Sequence, residues 1–273
     1  MSRAERTTVL RALWRSPAVA GPAALVERNL VIYRHTWYLL LAEVFEPVLY
    51  LLSMGVGIGA LVGHVPGLGG GDPSVGYVDF VAPALLATAA MNGAMNETTF
   101  NIYGKLKMLH TYDSILATPL RIRDVALGEV AWALLRGTAV TVVFGAAVAA
   151  FGLLHSPWAV LILPGSLLIA FAFAAAGLAV VTYIRSWQDF QLVQLVMLPM
   201  FLFATTFYPL GVYARPVQIA VECLPLYQSI ELVREPSLGV MNAGVGLAAL
   251  YLLVFGALSM ALALHRLERT LVP

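Results

Sequence analysis

Residues 242–264 read NAGVGLAALYLLVFGALSMALAL, an apolar run without a single lysine or arginine. A bilayer core about 30 Å thick is crossed by ~20 residues of apolar helix, so this run is long enough to span. Five more stretches share its character, at roughly 37–62, 77–100, 125–153, 159–184 and 190–209. Six of them in 273 residues leave too little polar chain for a separate soluble domain. Composition agrees, because only 11% of the residues are charged, against ~25% in an ordinary soluble domain. The chain reads as an all-α polytopic membrane protein with six transmembrane helices. Residues 1–36 form an N-terminal segment and 37–273 a single six-span domain.

Basic residues set the orientation. With the N-terminus inside, the inner segments hold Arg3, Arg6, Arg11, Arg15, Arg28, Arg34, Lys105, Lys107, Arg121, Arg123, Arg185, Arg266 and Arg269, and the outer ones only Arg215 and Arg234. This positive-inside asymmetry places both termini in the cytoplasm. The first 36 residues carry six arginines and no apolar core, so a cleavable signal peptide is not expected. Charges are scattered around the spans rather than gathered into a patch, so the net charge of +1 gives no pointer to nucleic acid; the expected surroundings are membrane lipids, with no nucleic-acid partner.

Self-contained chemistry finds no support. The single cysteine, Cys223, excludes an internal disulfide and a cysteine-based zinc cluster. His35, His64, His110, His155 and His265 are far apart, and neither a phosphate-binding loop nor a His-Glu-x-x-His pair occurs. Gly165-Ser166 lacks the flanks of a nucleophile elbow. No catalytic residue, metal site or cofactor is expected in this chain.

Between the spans, the sequence suggests specific devices. Gly21-Pro22 opens a helix on which Val26, Leu30, Tyr33 and Trp37 share a face, with Glu27, Arg28 and Arg34 away from it. That pattern suits an amphipathic helix in the cytoplasmic interface, or a solvated helix packed on a partner protein. The small residues Gly55, Gly57 and Gly59 allow close helix approach, and the Gly/Pro-rich 63–76 connection suits a flexible external loop. Pro83 interrupts the second span. Residues 101–117 have helical spacing in Ile102, Leu106, Leu109 and Leu116, with Lys105, Lys107 and Asp113 interspersed, and Pro119 ends the helix. This gives a short cytoplasmic helix bracketed by spans two and three. On the outer side, Pro209, Pro216, Pro225 and Pro236 cut residues 209–240 into apolar pieces too short to cross, as in re-entrant or surface helices.

Ionisable groups within spans stand out, since each costs at least ~2.5–3.5 kcal/mol there. Glu43, Glu46, Glu97, Glu129 and Arg136 fall in or at the ends of spans, with Asp189 just before the fifth. Arg136 lies about 18 Å from Asp124 along an ideal helix, deep enough to need a carboxylate. Glu129 on its own helix, or Glu43, Glu46, Glu97 or Asp189 from neighbours, could supply one. Such groups either fix helix packing as ion pairs or line a substrate pathway. A proton relay is disfavoured, because no acids continue to the outer side.

Two stretches carry a family resemblance. The first is Tyr112-Asp113-Ser114-Ile115-Leu116-Ala117-Thr118-Pro119-Leu120, followed by Gly128-Glu129-Val130-Ala131-Trp132. The second is Phe207-Tyr208-Pro209-Leu210, then Pro216, Pro225-Leu226 and Arg234. In order and spacing within a six-span frame they resemble the ABC-2 type exporter permeases, and most nearly the branch with nodulation lipo-oligosaccharide exporters and daunorubicin-resistance permeases. Thr205-Thr206 stands where many members have Ser-Gly. The resemblance implies a bacterial inner-membrane permease that pairs with a second copy or a homologue. It implies two separate ATPase subunits, which bind ATP and magnesium, and an amphiphilic cargo such as a lipid-linked glycan, a glycolipid or a hydrophobic drug. It makes 101–117 the coupling element, with Lys105, Lys107 and Asp113 as rim charges, Leu106, Leu109 and Leu116 as apolar contacts and Pro119 at its end. An ATP-independent carrier or channel is the alternative from another class, and a non-transporting scaffold a third.

Overall fold

The computed structural model describes residues 17–66, 74–153 and 156–271. Arg3, Arg6, Arg11 and Arg15, the middle of the 63–76 loop and His155 lie outside the described residues. Helix α1 (Pro17–Tyr33) leads to α2 (38–62), which is α-helical over Tyr38–Ser53, widens into a π-turn at Met54–Ile58 and closes over Gly59–Val62. Then come two short strands, β1 (His64–Pro66) and β2 (Ser74–Gly76), paired antiparallel. The arms of the glycine-rich loop therefore satisfy each other's backbone groups, a small departure from an all-helical chain.

Helix α3 runs Tyr77–Met108, with π-turns at Glu97–Asn101 and Gly104–Met108. It is followed by α4 (Thr111–Leu116), α5 (Ile122–Ala150), α6 (Ile162–Val181), α7 (Phe190–Phe203), α8 (Arg215–Glu222), α9 (Pro225–Ser237) and α10 (Ala243–Leu271). Among the described residues, four helices are long and apolar enough to cross a membrane: α3, α5, α6 with its leading turn, and α10. Helix α2, which carries Glu43, Glu46 and Pro47, and α7 fall outside that set. At 14 residues, α7 reaches only about 21 Å, and the chain turns away at Thr205, whose φ is +62°.

Helix α3 is the hub, packing on α2, α5, α6 and α9. Small side chains on several faces (Ala82, Ala84, Ala87, Ala90, Ala94), all inaccessible to solvent, let neighbours approach from every direction. Pro83 does not interrupt it as the sequence suggests. In the second turn the missing N–H removes one hydrogen bond, and the packed neighbours hold the helix on course. Pro216 and Pro225 sit at the starts of α8 and α9, where proline suits a first turn. Helix α9 also continues past the expected break at Pro236.

One end of the bundle is basic. There the Tyr103 hydroxyl donates to the Arg185 carbonyl at 3.4 Å, Arg123 faces Glu268 at 3.9 Å, and Arg266 lies over the Tyr183 ring. The opposite end is closed by Arg234 of α9, which is inaccessible to solvent. Its guanidinium donates to the Thr205 carbonyl at 2.6 Å and the Phe80 carbonyl at 3.2 Å, meets Glu231 at 3.3 Å and lies 3.9 Å over the Phe80 ring. One side chain thus ties α9 to the start of α3 and to the turn after α7.

Two expectations near the basic end need correcting. The expected single helix over 101–117 is instead the tail of α3, a break at His110 (φ +48°) and the six-residue α4. Residues 101–108 stay in α3 because Lys105 and Leu106 are buried against the bundle, and histidine is among the residues that tolerate left-handed backbone. The N-terminal helix meets protein through Gly21, Leu25 and Asn29, while Leu30 and Trp37 of the expected stripe are exposed. It runs alongside α5 in the same direction, with Gly21 near Asp124 and Leu25 on Gly128.

That contact is tight. A Cβ on Gly128 would lie 2.8 Å from the Leu25 Cβ and 3.1 Å from the Pro22 carbonyl oxygen, atoms fixed by the α1 backbone. Gly128→Ala should therefore cost about 1–3 kcal/mol, the range of core overpacking, read as a lower melting temperature in detergent. Gly57→Ala, which meets nothing within 4 Å, should leave it unchanged or raise it.

Candidate functional site

The side chains that are hardest to place in a membrane gather in the basic half, in two adjoining clusters. In the deeper one, Arg136 of α5 donates to Glu97 of α3, to Glu43 of α2 and to the hydroxyl of Tyr33 of α1. The Tyr33 hydroxyl donates to Glu97 Oε2 at 3.1 Å, and Asn101, one turn on, donates to Glu97 Oε1. The guanidinium lies 4.8 Å over the Tyr33 ring, which in turn packs 5.0 Å from that of Trp132. Four helices therefore meet at one guanidinium.

The second cluster lies toward the basic end. Lys105 Nζ reaches both oxygens of Glu129, at 2.8 and 3.0 Å. The Asn29 amide donates to Glu129 Oε2 at 3.3 Å, and the Tyr112 hydroxyl donates to Glu129 Oε1 at 3.0 Å. The Glu129 side chain is 1% exposed and that of Lys105 9%. Tyr112 belongs to α4, so the short helix after the α3 break is anchored by its own phenol to a buried carboxylate.

The two clusters differ in charge. Lys105 and Glu129 cancel, whereas one arginine faces two carboxylates in the deeper cluster. Glu43 Oε2 and Arg136 Nε are left buried without a hydrogen-bond partner among the described residues. Glu43 also lines a cleft of about 190 Å³ between α2, α3 and α7, together with Glu46, Tyr50, Asn92, Asn96 and Gln194. Polar groups on such an opening suit water or a covering partner better than contact with lipid.

The other sequence candidates separate by position. Glu129 does not pair with Arg136, two turns along the same face of α5, but with Lys105. Glu46 lies on the cleft and makes no ion pair among the described residues. Asp189 does not reach Arg136; it closes the turn before α7, accepting from the backbone N–H groups of Arg185 and Ser186 at 2.8 and 3.0 Å and from the Ser186 hydroxyl at 3.1 Å. Lys107, Leu109, Asp113 and Pro119 are exposed and Leu116 half-buried, so they remain on the surface of the loop. Lys105 and Leu106 are buried, which removes them from any rim: Lys105 is spent on Glu129. Pro209, Pro216, Pro225 and Arg234 belong to the segment at the opposite end. Asn29, Tyr33 and Tyr112 are the members that sequence reasoning missed. Their one signal was that Asn29 and Tyr33 are four apart on α1.

Comparison with known proteins follows the same lines. The profile of the ABC-2 type transporter family matches residues 23–237. Nodulation protein J of Rhizobium leguminosarum bv. trifolii is 34% identical over 237 residues, covering 84% of this chain and 87% of that protein. Nodulation protein J of Sinorhizobium fredii is 31% identical over 272 residues, covering 95% and 100%, and that of Rhizobium meliloti is 28% identical over 271 residues, covering 96% and 100%.

Removing the shared cation tests the deeper cluster. Arg136→Met leaves two neighbouring carboxylates buried and should cost about 3–5 kcal/mol, as when one partner of a buried pair is deleted. Glu97→Gln added to that variant should recover part of the loss. Glu43→Gln alone should cost less, because Arg136 keeps Glu97. Melting in detergent reads all three.

Proposed function

We propose, since the chain belongs to the ABC-2 type transporter family, that it forms the membrane pathway of an ATP-driven exporter. Membership makes it the membrane subunit of an ABC transporter in a bacterial membrane, rather than a self-contained enzyme. In our reading the basic end faces the cytoplasm, in keeping with the positive-inside rule, with both termini on that side of the inner membrane. Helices α2, α3, α5, α6, α7 and α10 then make six passes, α7 with the chain that follows it. Two ATPase subunits, which hold ATP and magnesium, dock from the cytoplasm.

One observation carries the coupling role. Met108 and Leu109 are 67% and 73% exposed at the tip between α3 and α4, flanked by Lys107, His110 and Asp113, while Tyr112 three residues on is fixed to Glu129. An exposed apolar tip rimmed by charge suits a cleft on a partner. Its anchor passes a push at the tip into α5 through Glu129, into α3 through Lys105 and into α1 through Asn29.

The α2–α3–α7 cleft supports a pathway shared with a second copy or a homologue, because Glu46, Asn96 and Gln194 need polar surroundings that lipid does not offer. Leu85, Met197, Leu198 and Phe201 line the cleft beside those polar groups, and such a mixed wall suits an amphiphilic cargo (a lipid-linked glycan, a glycolipid or a hydrophobic drug).

The test replaces the tip and spares the fold. Met108→Asp with Leu109→Asp should abolish stimulation of the cognate ATPase and ATP-dependent flux in proteoliposomes, at an unchanged melting temperature. Leu106→Asp should instead lower the melting temperature, since Leu106 is buried. Flux that persists without any ATPase, driven by an ion gradient, would overturn the reading.

A further inference from the structure

The bundle has a second opening that the pathway does not use. It lies between α6 and α7 at the basic end, has a volume of about 520 Å³, and is walled by Val180, Leu192, Val193 and Val196, with Tyr183 and Arg185 at its mouth. Helix α7 stands off from the bundle there: of its residues only Phe190, Met197 and Met200 are buried, while Leu192 and Val196 are 64% and 66% exposed. We propose that this trough binds an anionic glycerophospholipid of the surrounding membrane, one acyl chain lying along α7 and the phosphate seated at Arg185 and Arg266.

Three features fix the occupant. First, the wall is aliphatic and its Leu192 and Val196 are exposed, so within a membrane a hydrocarbon chain fills it better than a water-soluble ligand does. Second, the mouth is at the depth of a headgroup. Tyr183 at the mouth is 53% exposed, and Trp187, two residues before the lining Asp189, is 60% exposed; exposed aromatic rings of this kind mark the membrane–water interface.

Third, cationic groups stand at and behind the mouth. Arg185, which lines it, is exposed. The Arg266 guanidinium is not part of the lining but lies 4.1 Å over the ring of Tyr183, which is; its Nε has no hydrogen-bond partner and it makes no ion pair among the described residues. The one opposing charge is Asp189, which also lines the trough. Its carboxyl is held below the usual carboxylate range by hydrogen bonds from the Arg185 and Ser186 backbone N–H groups, so its acceptor capacity is largely used within the turn. Two arginines against one aspartate leave one net positive charge, and basic pockets between membrane helices on the cytoplasmic side are suited to anionic headgroups. The proposal rests on the membrane placement with the basic end toward the cytoplasm, and stands or falls separately from ATP-driven export.

Native mass spectrometry of the detergent-purified protein with phosphatidylglycerol or phosphatidylcholine of matched chains tests it. Phosphatidylglycerol should be retained about fivefold more than phosphatidylcholine, the factor that ~1 kcal/mol per basic residue gives for one net positive charge. Arg185→Gln with Arg266→Gln should bring the two lipids level, and Val196→Trp should reduce retention of both, each at an unchanged melting temperature. Equal retention by the wild type, or a phosphatidylglycerol preference that survives the double substitution, overturns the proposal. So does a trough closed by a second copy, seen as a cross-link between Leu192→Cys chains with no lipid retained.

Discussion

A charge in a bilayer core costs at least ~2.5–3.5 kcal/mol, and a buried ion needs both a counter-ion and further hydrogen bonds to offset its desolvation. The basic half of this chain is arranged around that constraint. Arg136 can be buried only because α1, α2 and α3 each deliver a polar group to it, and Glu129 only because α1, α3 and α4 do the same. Take one charge away and α1 still has the other to hold, along with the close Leu25–Gly128 contact and the Tyr33–Trp132 ring pair. The ion pairs contribute little net stability compared with an apolar core of the same volume. What they fix is register: each helix can satisfy these groups in one position and not one turn higher or lower.

The same constraint explains which parts of the site could be read from the sequence. Glu43, Glu97, Glu129 and Arg136 stand out as charges amid apolar runs, and the structure brings all four into the two clusters. Their pairing is not legible, because residues seven apart on α5 share a face yet can be claimed by different neighbours. Spacing assigns Lys105 to a surface rim; its partner is 24 positions away, and nothing local betrays it. Asn29, Tyr33 and Tyr112 are neutral and unremarkable in composition, and matter only through where other helices put Glu97 and Glu129.

For the fold, apolar length picked out α3, α5, α6 and α10, the described helices long and apolar enough to cross, but also α2 and α7, which fall outside that set, and proline placed the starts of α8 and α9. It misjudged interruptions. Pro83 and Pro236 lie within continuous helices because tertiary packing outweighs one missing hydrogen bond, whereas the real break falls at His110, which no sequence rule marks as a stop. The leucine spacing of 101–117 runs across that break, since π-turns keep a helical pattern going while shifting its phase. Helix α7 ends at Phe203, just ahead of the left-handed Thr205, and the Thr205 carbonyl freed by that turn accepts from Arg234 of another helix.

Helix α3 joins the two ends of the molecule as one rod, from Phe80 beneath Arg234 to the Met108 tip. Two places in that rod are wound too loosely, at Glu97–Asn101 and Gly104–Met108. A π-turn holds one more residue than the α-turn it replaces, so tightening either one would swivel everything beyond it by roughly 100° and shift it by about 1.5 Å. Both sit beside the carboxylates that bind Arg136 and Lys105. The rod therefore carries, at the level of its own buried charges, the geometry of a screw thread: a small axial slip there is necessarily a large turn of the tip.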